Sequence, residues 1–505
     1  MKRLALVGCL LAGLVAAAQS AAAPRFGAAE DATKYADDGG ASLFAQLREL
    51  GMTENRMVVR WNPNDPTTIQ EKAFLDRSIP AAQRAGMRVV FSVYATEATG
   101  MSADPDVRIA LFTGYLQKVA RTYPYVSTFI VGNEPNEPHF WQPQLAPDGA
   151  QLSGALYERL LAASYDALKA VNPSITVVGA GPSGDGNDTT STSPVRFLKG
   201  LGDAYRASGR TAPLMDQLAF HVYPRANTDP STKLRDWPNV GPADLDRLKQ
   251  AVWDAFAGTS QPTFPEGPAA AGGFALIVDE FGWQAAVDQA HAGAYHGAEN
   301  VPTATEDEQA QIYSSLIAEL SCDPVVSDAM VFHLVDESDL SGFQSGLLRA
   351  DRTRRPAFDA VRAAIAASGA CVVPRLWSHA AGVIGAGATF PSGHVQARRA
   401  VFGLSVTASE DAVSRAGIFR LRTGTERVSS DELSRALTSA AAGRSPVRSV
   451  SKLVKAGWTP RLELRGRLKP GWYVYAVRLQ AAMNPTRAQT LVSAPFRVGQ
   501  PVRTR

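Results

Sequence analysis

The sequence predicts an α/β chain built as a (β/α)8 TIM barrel followed by a small antiparallel β-sandwich-like domain. Three observations carry this reading. Eight short apolar runs, many of them β-branched, recur between residues 25 and 334 with helix-period segments between them. None of the eight needs a hairpin turn after it, which implies parallel pairing through right-handed crossovers. Beyond Cys371 the pattern changes to period two.

The eight runs cover residues 25–30, 57–61, 88–94, 128–134, 175–180, 217–223, 274–280 and 329–334. Helical segments are expected at 105–122, 151–170, 243–256 and 305–320. The last opens with Thr305-Glu-Asp-Glu308, a capping box in which the threonine hydroxyl and the glutamate satisfy each other's backbone N–H groups. Eight strand and helix repeats fit a closed barrel better than an open doubly wound sheet, and the first strand lacks the glycine fingerprint of a dinucleotide site. In the tail, 461–468 alternates polar and apolar residues, and 471–479 and 494–498 are strand-rich. Lys469-Pro-Gly471 reads as the turn between the first two, and 436–449, rich in Ala, Ser, Gly and Arg, reads as a loop.

Of the 505 residues, 45% are hydrophobic and 20% charged, which excludes disordered, collagen-like and coiled-coil classes. Residues 1–23 have the layout of a cleavable signal peptide: Lys2 and Arg3, an apolar run from Leu4 to Ala18, then Ala21-Ala22-Ala23. No later stretch is apolar for long enough to span a membrane, so a secreted, extracellular protein is expected. Export leaves Cys322 and Cys371, an even pair most simply read as one disulfide and too few for a cysteine metal site. The expected domains are 1–23 signal peptide, 24–370 barrel and 371–505 basic β domain. Charge divides them: 371–505 holds 21 Lys and Arg against 6 Asp and Glu, whereas 24–370 holds 28 against 42.

In such a barrel the working residues lie at the C-terminal strand ends. Arg60, Asn133, Glu134, His221, Tyr223 and Glu280 are the polar residues that interrupt the apolar runs there. A carboxylate ending a buried strand is costly unless paired or used, and two glutamates do so, at the fourth and seventh strands.

Four features, in chain order, make the sequence resemble the clan A glycoside hydrolases, the retaining group that includes the cellulase-like family 5 and families 30 and 39. Gly132-Asn-Glu-Pro-Asn136 matches the acid/base motif of strand four, and Asp279-Glu280-Phe-Gly282 matches the nucleophile at the end of strand seven. Phe220-His-Val-Tyr-Pro224 is similar to the strand-six His-x-Tyr, and Arg60 stands at the position of the strand-two arginine. The tryptophan that commonly ends strand eight in family 5 is missing or replaced in Val331-Phe-His-Leu334.

The resemblance implies hydrolysis of O-glycosidic, β-linked bonds in an oligo- or polysaccharide by double displacement. Glu134 would protonate the leaving oxygen and then activate water; Glu280 would attack the anomeric carbon and carry the covalent glycosyl intermediate. Arg60 and Tyr223 would hydrogen-bond Glu280, Asn133 would bind the sugar 2-hydroxyl, and His221 would join the site. Trp61, Trp141 and Trp283 follow strand ends and would serve as sugar platforms. No cofactor and no metal are called for; Asp336-Glu-Ser-Asp339 reads as a solvated acidic loop before a calcium site.

Two other classes stay open. One is a catalytically silent carbohydrate-binding barrel, against which the retention of both glutamates counts. The other is a cell-envelope adhesion protein whose working part is the basic tail. That tail is expected to pack on the acidic barrel or to bind an anionic envelope polymer, and export argues against nucleic acid as its partner.

Overall fold

The computed structural model describes residues 23–179, 181–267, 273–371, 373–391, 395–396, 401–439 and 444–499. The signal-peptide expectation therefore falls, apart from Ala23, outside the described residues. Eight strands, β1 (Arg25–Ala29), β2 (Glu54–Trp61), β3 (Arg88–Ala95), β4 (Thr128–Val131), β5 (Thr176–Gly179), β6 (Gln217–His221), β7 (Ala275–Phe281) and β8 (Val326–Val331), pair in parallel in chain order. β8 returns to β1 and closes the barrel.

Helices wrap the outside: α1 (Ala32–Tyr35) and α2 (Ala41–Glu49), then α3 (Lys72–Arg84), α4 (Pro105–Thr122), α5 (Ser153–Val171), α6 (Pro194–Ser208), α7 (Leu245–Phe256), α8 (Glu306–Ser321) and α9 (Pro356–Ala367). Proline occupies the first turn of α4, α6 and α9, where its missing N–H is not needed. The expected capping box opens α8, with Glu308 N donating to Thr305 Oγ1 at 3.2 Å and Thr305 N donating to Glu308 Oε2 at 2.8 Å.

Alternation along the strands sorts side chains into two layers. Val90, Ile130, Val178, Ala219, Ile277 and Met330, one from each of β3 to β8, form a separate buried cluster that plugs the barrel. The opposite faces, Met57, Val59 and Trp61 among them, join the large core under the helices. This plug is the floor of the site described below.

Cys322 caps α8 and Cys371 follows α9; the two are bonded, with Cα atoms 5.3 Å apart across a sequence separation of 49. The bond fastens the last barrel helix just before the tail.

The tail is a two-sheet sandwich. Its strands are β9 (Gly387–Thr389), β10 (Val395–Gln396), β11 (Val401–Thr407), β12 (Ala412–Leu421), β13 (Arg448–Val454), β14 (Arg461–Arg465), β15 (Gly471–Ala481), β16 (Ala488–Val492) and β17 (Phe496–Gly499). One sheet runs β10-β17-β15-β12-β13 with β16 also on β15; the other runs β14-β11-β9. Phe402, Leu404, Leu462 and Leu464 from the second meet Ile418, Tyr475 and Val477 from the first in one core.

Two local expectations change. The Lys469-Pro-Gly471 segment joins strands of different sheets rather than a hairpin, because β14 pairs with β11 and β15 with β12. The loop expected over 436–449 is helix α10 (Ser430–Thr438) at its start and β13 at its end, with 440–443 outside the described residues. Leu433 and Ala436 of α10 are buried against Phe419, Leu421 and Val474, and this apolar stripe overrides the small-residue composition.

The tail seats on α7 around a buried arginine. Arg487, whose side chain is 2% exposed, donates to both oxygens of Asp254 on α7 at 2.8 and 2.9 Å and to both oxygens of Glu410 at 2.8 and 2.6 Å. Trp253 stacks on His379 beside it, with ring centroids 4.0 Å apart. The opposite charges of the two halves are thus joined through a buried, specific contact.

Candidate active site

A cavity of about 530 Å³ opens above the apolar plug. Its walls include Arg56, Asn133, Glu134, Tyr223 and Glu280, together with Glu30, Asp31, His333 and Glu337 from the β1 and β8 ends. Tyr94, Phe140, Phe332 and Phe343 supply its aromatic surface.

Glu280 lies within β7, in register with His221 on β6. Arg56 Nη1 donates to Glu280 Oε1 at 2.7 Å, and the Tyr223 hydroxyl donates to Oε2 at 2.7 Å. Each oxygen thus has one strong partner. Burial opposes the charge on Arg56, but Glu280 and Asp279 outweigh it and its pKa rises. Burial and Glu280 hold the Tyr223 phenol protonated well above its ordinary range.

Glu134 follows β4 with φ of 37°, a left-handed conformation that costs a non-glycine residue on the order of 1–3 kcal/mol. Its backbone N–H donates to Gly181 O at 3.1 Å. Its Oε1 lies 2.7 Å from His221 Nδ1, which is also 3.3 Å from Glu280 Oε2. The buried imidazole therefore bridges the two glutamates. Burial disfavours its charge, yet Glu280 and Asp279 prevail and raise its pKa well above the ordinary histidine value. Asn133 accepts from Arg56 Nη2 through Oδ1 at 2.7 Å, which fixes its amide and leaves Nδ2 as a donor. Asn136 acts structurally, since its Nδ2 donates to the carbonyls of Ser183, Asp185 and Thr192 and so clamps the β5–α6 loop.

Among the expected residues, Asn133, Glu134, His221, Tyr223 and Glu280 converge in one place. Arg60 does not reach Glu280. β2 starts three residues earlier than expected, so Arg56 occupies the catalytic level, and Arg60, four residues on along the same face, stands exposed at the cavity mouth with its guanidinium 5.5 Å from the Tyr94 ring centroid. The tryptophans are core residues. Trp61 and Trp283 are 0% exposed and Trp141 is 6% exposed. Trp61 points outward, against Phe112 of α4, and Trp283 Nε1 donates to Asp229 O at 2.8 Å. The aromatic walls are instead Tyr94, Phe140, Phe332 and Phe343, and Phe332 lines the cavity just past β8, where family 5 commonly has tryptophan.

Residues 337–339 of the expected acidic loop are exposed, but Asp336 is buried and bonded to Arg355 Nη2 at 2.5 Å and the Tyr295 hydroxyl at 2.6 Å. The sequence alone also gives no sign of Arg56, hidden mid-strand, or of Asp279, overshadowed by the glutamate beside it. Glu134, His221 and Glu280 each offer one atom within 4.8 Å of the others, a spacing open to a divalent cation. Arg56 and the Tyr223 hydroxyl already donate to the two oxygens of Glu280, so the set fits proton and carboxylate chemistry better than metal. No helix among the described residues is long and apolar enough to cross a membrane.

No family model matches the chain, and no curated protein matches it. Among solved structures, it is similar to a family 39 glycoside hydrolase from Bacteroides cellulosilyticus WH2 at 14% identity, covering 88% of this chain and 81% of that one with a TM-score of 0.46. The GH39 enzyme from Xanthomonas axonopodis pv. citri is also 14% identical, with 89% and 94% covered and a TM-score of 0.45. The GH5_18 protein of Streptomyces cattleya, solved with GlcNAc, is 17% identical, with 75% and 84% covered and a TM-score of 0.47.

Proposed function

We propose that the protein is an exported retaining glycoside hydrolase that cleaves β-linked sugars with Glu134 as acid/base and Glu280 as nucleophile. The observation that carries this reading is the pairing of the two carboxylates across one cavity, with atoms within 4.8 Å of each other and a common histidine between them. Retaining enzymes hold their carboxyl groups about 5–5.5 Å apart, whereas inverting enzymes leave about 6.5–9.5 Å for a water.

In the first step Glu280 attacks the anomeric carbon while Glu134 gives its proton to the departing oxygen; the glycosidic bond breaks and a glycosyl ester forms. In the second, Glu134 takes a proton from water, the water oxygen attacks the same carbon and Glu280 leaves as carboxylate. Arg56 and Tyr223 steady the Glu280 charge, and the free Asn133 amide donates to a sugar hydroxyl. Phe332, Phe343, Tyr94 and Phe140 provide faces for pyranose C–H groups.

Export is supported by the 1–23 leader pattern and the Cys322–Cys371 bond. Among the described residues the tail contributes none to the cavity lining, and it is read as a support for the barrel that also binds an anionic envelope polymer. Retention on a polyuronate matrix that vanishes as salt shortens the screening length below about 8 Å fits this role; salt-independent retention does not.

The test of the enzymatic reading is a panel of aryl β-glycosides and β-linked polysaccharides assayed with wild type, Glu134→Ala and Glu280→Ala. Activity in the wild type that falls by several powers of ten in Glu280→Ala supports it. A Glu280→Ala protein as active as wild type overturns it.

A further inference from the structure

We infer that Asp279 is a positioning residue, the fixed counter-ion of Arg56 and His221, whose negative charge offsets theirs and so lets Glu134 hold its proton while Glu280 is charged. The inference rests on the two-glutamate reading above and deepens it.

Asp279 lies on β7 directly before Glu280, with its side chain fully buried. Among the described residues neither of its oxygens accepts a hydrogen bond of regular geometry. Two cations face it instead: Arg56 Nε on β2 lies 3.1 Å from Oδ2, and His221 Nε2 on β6 lies 3.4 Å from the same atom. A carboxylate at this depth whose oxygens lack hydrogen bonds of regular geometry is costly, so its presence needs a return. From the β5 end, Gly181 makes room for the contact. A Cβ there would stand 2.7 Å from Asp279 Oδ1 and 2.7 Å from His221 Nε2. Beyond these, the groups that face the pair are Glu134 after β4, Glu280 on β7 and Tyr223 after β6, with Tyr94 of β3 near Arg56.

Charge counting gives the return. With Glu280 ionised and Glu134 protonated, Arg56 and His221 carry two positive charges and Asp279 and Glu280 two negative ones. In the glycosyl-enzyme Glu280 is a neutral ester and Glu134 a carboxylate, and the balance is again zero. His221 and Asp279 keep their charges in both states, and one proton moves through Glu134. Without Asp279 both states gain a positive charge, so Glu134 gives up its proton at lower pH.

The test uses the full chain with two aryl glycosides of one sugar that the wild type turns over, one with a phenol and one with a dinitrophenol leaving group. In Asp279→Asn the basic limb of the kcat/KM profile for the phenyl glycoside is expected to move to lower pH by on the order of one unit, a tenfold loss at a fixed pH on that limb. The dinitrophenyl substrate, which needs no proton, is spared. Gly181→Ala, which displaces the same contact without removing a charge, is expected to shift the limb in the same direction. Limbs at the wild-type pH with equal losses on both substrates overturn the inference while leaving the two-glutamate reading intact. Nitrogen-15 NMR of wild type labelled at histidine, with His221→Gln to assign the signal, needs neither a folded Asp279 variant nor activity. A doubly protonated His221 ring at pH 7 to 8 supports the inference, and a neutral ring overturns it.

Discussion

Arg56 and Glu280, 224 residues apart in sequence, meet at 2.7 Å inside the barrel, and this contact rather than one from Arg60 anchors the carboxylate assigned as nucleophile. Arg56 also fixes Asn133, so one side chain from β2 orients two partners. Arg56→Ala is expected to lower kcat by on the order of 10²–10³, the size of loss seen when one preorganised donor is removed. Arg60→Ala is expected to change kcat by no more than a few-fold. Steady-state kinetics on an aryl glycoside checks both, and equal losses would return the anchoring role to Arg60.

The aromatic walls make a second prediction. Phe343, exposed at the cavity edge, is expected to raise KM about two- to tenfold when replaced by Ala, in line with about 0.5–1.5 kcal/mol for an aromatic contact. Trp283→Phe is expected to lower Tm without raising KM, since that ring is sealed in the core. Thermal melts and KM values from the same preparations decide between wall and core for each ring.

Much of this site is legible in the sequence because strands carry a strict alternation and a barrel places its chemistry at their ends. Glu134, His221 and Glu280 interrupt apolar runs at those ends and stand out for that reason. Arg56 does not, because a register difference of a few residues at the start of β2 leaves it outside the apolar run, and Arg60 on the same face fits the pattern equally well. The tryptophans mislead for a related reason: Trp61 follows the strand end but has the parity of the outer face, and sequence position alone does not give the side. The Asp279 contacts to Arg56 and His221 join three strands, and no local signal carries that.

Arg487 joins the tail to the barrel through two buried carboxylates, Asp254 and Glu410. Arg487→Ala leaves both without their shared cation and is expected to cost about 3–5 kcal/mol. Denaturant melts should show the tail and barrel unfolding in separate steps or the whole midpoint falling; an unchanged midpoint would mean that this contact does not hold the domains together.

Glu137, two residues beyond Pro135 in the same loop as Glu134, is pushed up to about 7 by burial and by Glu134 and Asp185. Its ordinary value is 4.5, so between pH 4.5 and 7 the folded chain binds more protons there than the unfolded one. Stability from this group therefore falls as pH rises through that window and is lowest above it. Glu137→Gln removes the effect, and its Tm relative to wild type is expected to rise from pH 5 to pH 8. A constant difference across that range would contradict the assignment.

The central claim is double displacement by Glu134 and Glu280, and its most direct test is the configuration of the first-formed product. Proton NMR recorded during the earliest turnover of a β-glycoside, before mutarotation, distinguishes the anomers. The account predicts the β anomer, with configuration retained. Release of the α anomer first would contradict it, because inversion is a single displacement by water with no glycosyl ester on Glu280.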